Sequence, residues 1–84
     1  MKLKAITVRD GSKALRYETL VERWEDILWI ARRGTDEQGK EIINMEIECD
    51  SNGLVYTNTI EQVLGFYKDV KLIEKGGFAF EVVN

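Results

Sequence analysis

Between Ile43 and Asp50 apolar and polar residues alternate without a break. Ile43, Met45, Ile47 and Cys49 fall on one side, Asn44, Glu46, Glu48 and Asp50 on the other. A period of two belongs to a strand with one face in a core and one in water. Asn52-Gly53 follows at once, a pair that favours a type I′ hairpin turn, so Leu54–Thr57 is expected to pair back. The segment therefore demands a sheet, and the remaining sequence must supply its partners and its cover.

The N-terminal third offers a second hairpin. Lys2–Arg9 reads as a strand with β-branched Ile6 and Val8. Asp10-Gly11 marks a turn, and Lys13–Val21 returns with Leu15, Tyr17 and Val21 on one face. A third hairpin is expected at Val70–Lys75 and Phe78–Val83 across Gly76-Gly77. Every strongly marked connection is a hairpin, so no βαβ crossover is required.

One helix stands out, at about residues 60–69. Thr59 and Gln62 form a capping box, and Ile60, Val63, Leu64 and Tyr67 make its apolar stripe. Gly65 inside it costs up to about 1 kcal/mol relative to alanine, so packing must hold the helix. Residues 19–33 fit two templates. As a helix, Leu20, Val21, Trp24, Ile27, Leu28 and Ala31 share a face, Thr19 and Glu22 make a capping box, and Arg32-Arg33-Gly34 resembles a C-terminus. That arrangement leaves Trp29 and Ile30 on the wet face. A helical turn at Leu20–Asp26 followed by a strand at Ile27–Arg33 is the preferred reading, because it gives both side chains a place in the core. The fold class expected is α+β: a small, mainly antiparallel sheet of hairpins with one helix at about 60–69 and a second helix or helical turn within 19–33.

The 84 residues make a single domain, 1–84. Cys49 is the lone cysteine, so no disulfide forms within the chain, which fits a reducing compartment. The longest apolar run, Ile27–Ala31, is far short of a membrane span, and the N-terminus lacks the apolar stretch of a signal peptide. The expected location is the cytoplasm, away from any membrane.

The chain has no histidine. It therefore has no Ser-His or Cys-His nucleophile pair, and the usual zinc sites lack ligands. No phosphate-binding glycine motif is present. Glu48 and Asp50 flank Cys49 and oppose thiolate formation, so this residue is expected to pack in the core. Asp50-Ser51-Asn52-Gly53 carries only part of a calcium-loop pattern, and a turn explains those residues. The expectation is a protein that is not an enzyme and that uses no cofactor and no metal.

Charge is uneven. Residues 1–33 hold eight Lys/Arg against five Asp/Glu, whereas residues 34–84 hold four against ten. The net charge of −3 lacks the clearly basic character of a nucleic-acid-binding domain. Two patches point instead to another protein as partner. Glu46, Glu48 and Asp50 form an acidic row at about 6.8 Å intervals, able to imitate a nucleic-acid backbone and fill a basic cleft. Trp29, Arg32 and Arg33 are of residue types enriched in interface hot spots. The expected function is a small regulatory protein acting by protein–protein binding, with an inhibitor of a nucleic-acid-binding protein as one form. A structural subunit or homodimer pairing through a strand edge is a further expectation.

Residues 25–84 also carry a partial resemblance to a family. Glu25-Asp26-Ile27-Leu28-Trp29-Ile30, the turn at Asn52-Gly53, the Thr59–Tyr67 helix and the terminal Val82-Val83-Asn84 together resemble the LytTR-type DNA-binding domain. The resemblance implies a strand at Ile27–Arg33 and, as an alternative function, a DNA-binding transcription regulator. No DNA-contact residue of that family has a counterpart here. In the corresponding region, Gly76-Gly77-Phe78-Ala79-Phe80 carries neither a charge nor a polar side chain.

Overall fold

The computed structural model describes residues 2–48 and 55–66. Strand β1 (Lys2–Asp10) pairs antiparallel with β2 (Lys13–Val21) through a two-residue turn, Gly11-Ser12. Of these two, only Gly11 has positive φ, at 62°, as a type II′ turn requires at its first central position. The turn is thus centred one residue beyond the Asp10-Gly11 pair that signals it. Helix α1 (Trp24–Arg33) follows, then β3 (Ile42–Glu48) and β4 (Val55–Asn58), which are antiparallel to each other. Residues 60–66 are helical (α2).

The strand order is β2-β1-β3-β4, and β1 is antiparallel to both neighbours. Strands β2 and β3 consequently run parallel, with β1 between them, and the α1 segment carries the chain over β1 from one to the other. The sheet is made of antiparallel pairs, but one connection is a crossover, which the hairpin reading omits. The signal was weak because a parallel pair separated by a third strand leaves no local turn motif.

The strand expected at Ile27–Arg33 is helix instead. Ile27, Leu28 and Ala31 are buried on it, at the i, i+1 and i+4 positions of one face. Arg23, not Thr19, is the N-cap, and no side chain caps it. Thr19 and Leu20 are still in β2. Glu25 and Asp26 in the first turn and Arg32 and Arg33 in the last suit the helix dipole. Gly34 closes the helix with φ 70°, its N–H donating to the Ile30 carbonyl at 3.0 Å, the left-handed cap that glycine adopts most readily. Ile30 is half-buried against the core after all, and the helix leaves Trp29 59% exposed.

The core joins Leu3, Val8, Ile42, Met45 and Ile47 of the sheet to Ile27 and Ala31 of α1 and Val63 of α2. A shift in the β1–β3 register sets Thr7 against Asn44 but Val8 against Ile42, so Ile43 is an extra residue in β3. Such a bulge reverses the side-chain alternation beyond it. Ile42 enters the core at 2% exposure, while Ile43, placed there by the sequence pattern, is only half-buried. Met45 and Ile47 lie in the core as their alternation indicates. Cys49, the Asn52-Gly53 turn, Tyr67 and the Val70–Val83 hairpin lie outside the described residues.

The capping box of α2 is complete. The Thr59 N–H donates to Gln62 Oε1 at 2.9 Å, and the Gln62 N–H donates to Thr59 Oγ1 at 3.3 Å. Two orphan amides of the helix start are thereby satisfied.

Candidate functional site

Trp29 and Arg33 are four residues apart on α1, so they share a helix face. The Arg33 guanidinium carbon sits 4.5 Å from the centre of the Trp29 ring, within the range of a cation–π contact. Arg33 Nε donates to the Thr35 carbonyl at 2.7 Å. Ring and carbonyl together hold the guanidinium in place, and among the described residues it pairs with no carboxylate. Arg32 is exposed beside it on the last turn.

The connection after α1 is fixed to the sheet. Asp36 Oδ1 accepts from the Gln38 N–H at 2.9 Å and from the Lys40 N–H at 2.7 Å. Gly39 within it has φ 82°. Lys40 Nζ reaches Asp10 at 3.4 Å, and Arg9 reaches Glu41 at 3.2 Å. Between this connection, α1 and the β1–β2 hairpin runs an open groove of about 290 Å³. Ile6, Tyr17, Ile30, Arg33 and Gln38 are among its walls. Tyr17 is 43% exposed. The fixed guanidinium and the Tyr17 phenol thus line one concave surface together with Glu18, Asp36 and Glu37, and the exposed indole lies against the guanidinium.

The acidic row is arranged differently from its sequence. Glu46 is bonded by Arg16 of β2, Nε to Oε2 at 2.6 Å and Nη2 to Oε1 at 3.4 Å. These hydrogen bonds hold the Glu46 carboxyl below its ordinary range against the opposing effect of burial, and the Arg16 and Lys4 charges lower it further. The same contacts, with Glu18, raise the Arg16 guanidinium. Glu48 lies opposite Lys2 in the ladder and shares a shallow groove with Lys2, Lys4 and Glu18. Asp50 lies outside the described residues. Glu46 and Glu48 therefore face a set of cations, not open solvent alone. Sequence reasoning missed this set because Lys2, Lys4 and Arg16 reach the row only through the β2-β1-β3 register.

Among the described residues, two buried side-chain polar atoms have no hydrogen-bond partner, Trp24 Nε1 and Asn58 Nδ2. Among the described residues, no group of three or more His, Cys, Asp or Glu side chains is placed to hold a metal ion. No described helix is long and apolar enough to cross a membrane. Comparison with protein-family models, with curated proteins and with solved structures finds no match to the chain.

Proposed function

We propose that this domain is a non-catalytic regulatory protein that binds another protein through the surface formed by Trp29, Arg33 and Tyr17. The observation that carries the reading is Arg33: its guanidinium is fixed by Trp29 and Thr35 yet pairs with no carboxylate among the described residues. Holding such a side chain in one geometry lowers the entropy lost on binding. Trp, Tyr and Arg are the types that carry most binding energy in interfaces. The partner would present a carboxylate to Arg33 and an apolar side chain to the groove beside Tyr17 and Ile30.

The acidic row is the weaker surface for this role. Arg16 and Lys4 offset the charge of Glu46, so imitation of a nucleic-acid backbone has less to act with. A LytTR-like DNA-binding role has less support still, because its strand at Ile27–Arg33 is replaced by α1.

Immobilised protein is exposed to extract of the source cells, and what is retained is identified and purified. Binding of that partner is then measured with W29A, R33E and E46Q/E48Q variants. Loss with W29A and R33E, together with retention by E46Q/E48Q, is the expected pattern. Binding that survives W29A and R33E rejects this surface.

A further inference from the structure

Among the described residues, β2 is one of the two edge strands of the sheet, and no strand pairs with its outer side. An open edge of this kind is a template for another strand. The β1–β2 turn shows which backbone groups face outward. Two residues separate the paired Asp10 and Lys13, and a two-residue hairpin of this type is closed by a hydrogen-bonded pair, after which bonded and non-bonded pairs alternate. The register continues without a shift from Asp10–Lys13 to Ala5–Glu18. Lys13, Leu15 and Tyr17 thus bond inward to β1, while Ala14, Arg16 and Glu18 turn their amides and carbonyls to the outside.

The side chains on this edge are self-complementary. Arg16 and Glu18 flank Tyr17 with opposite charges on one face, their side chains 44% and 76% exposed. Tyr17 projects from the other face.

We propose that two copies of this chain associate through their β2 edges, antiparallel, about a twofold axis at Tyr17, to form one continuous sheet. Tyr17 then meets Tyr17 of the second copy in a close, non-hydrogen-bonded pair. Each Arg16 lies opposite a Glu18, and outward backbone groups pair with outward ones. Moving the axis to Arg16 opposes two arginines, and moving it to Glu18 opposes two glutamates, both destabilising. A slip of one residue brings outward groups against inward ones and loses the ladder. Glu46 already holds the Arg16 guanidinium at 2.6 Å, and Arg16 Nη1 reaches the edge at Glu18, 3.3 Å away. The register shift at Thr19 and Leu20 limits the regular ladder to its centre, so the association is concentration-dependent. This inference shares Tyr17 with the proposed binding surface but rests on the β2 edge and not on Trp29 or Arg33.

Sedimentation equilibrium of the purified chain across a wide concentration range tests it. A monomer–dimer equilibrium that weakens with added salt is expected. E18R places arginine against Arg16 and leaves the Arg16–Glu46 contact in place, so dimerisation should weaken on the order of tenfold or more. R16E should do the same, with circular dichroism verifying that it folds. An equimolar mixture of folded E18R and R16E should regain the dimer, because both charge pairs across the β2–β2 seam then join opposite charges. A wild-type chain that stays monomeric throughout, a dimer indifferent to E18R, or a mixture that stays monomeric overturns the proposal.

Discussion

Arg16 on β2 and Glu46 on β3 meet at 2.6 Å across the intervening strand β1. The ladder explains how they reach. Ala5 of β1 lies opposite both Glu18 and Glu46, and its methyl group leaves room for the guanidinium that bonds both carboxylates. Ala5 is wholly buried yet stands apart from the main core cluster. The ion pair thus ties together three strands and accounts for a small residue at the centre of the sheet.

Filling that space has a clear consequence. Ala5→Leu should displace the Arg16 side chain and lower stability by about 1–3 kcal/mol, the usual range for overpacking. Urea denaturation monitored by tryptophan fluorescence measures the loss.

The Glu46 carboxyl titrates below its ordinary value of 4.5 because Arg16 bonds its charged form. A group whose folded pKa is depressed contributes stability above its unfolded pKa and loses it as pH falls through the folded value. The contribution is therefore complete above pH 4.5 and disappears on further acidification. E46Q should lower stability at neutral pH and flatten the decline below that value. Urea midpoints of the two proteins that fall in parallel below it would contradict this assignment.

Removing the cap hydroxyl with Thr59→Ala should cost about 1 kcal/mol, read as a lower thermal midpoint. Gln62→Ala removes the reciprocal bond and should cost less, since Thr59 Oγ1 still receives the Gln62 amide.

Gly34→Ala tests backbone strain apart from crowding. An added methyl would sit 3.8 Å from Ile60 Cδ1, an ordinary contact. The left-handed conformation disfavours it by about 1–2 kcal/mol, so stability should fall by that order without a change in fold, checked by chemical denaturation and circular dichroism.

Trp29→Ala removes a largely exposed ring and one cation–π contact. Its effect on stability should stay at about 0.5–1 kcal/mol, whereas core truncation by Met45→Ala should cost about 2–5 kcal/mol. Parallel denaturation curves of the two variants decide whether Trp29 belongs to the surface or to the core.

The legible parts of the sequence are those governed by near neighbours. Thr59 and Gln62 announce their cap at a spacing of three, Gly34 its helix end, and Gly11 its turn. The α1 segment misled because a five-residue apolar run fits a buried strand as well as a helix. On a helix Trp29 and Arg33 stand at i and i+4, so the exposed ring carries the guanidinium. That spacing was the available signal for the candidate surface. Other features depend on pairing across the chain. Ile42 replaces Ile43 in the core through a bulge set by β1, and Glu46 acquires Arg16 from thirty positions away. Neither is written in a local pattern.

The crossover from β2 to β3 gives the domain the plan of two hairpins stitched along a single seam, β1 against β3. The chain crosses that seam through α1 and the loop around Gln38-Gly39. A cut in that loop would leave two pieces, one with β1, β2 and α1 and one with β3 and β4, held together by the β1–β3 ladder, the Arg16–Glu46 ion pair and the shared apolar layer. The molecule is in this respect a natural candidate for split-fragment complementation, with rejoining of the halves reporting directly on the strength of the seam.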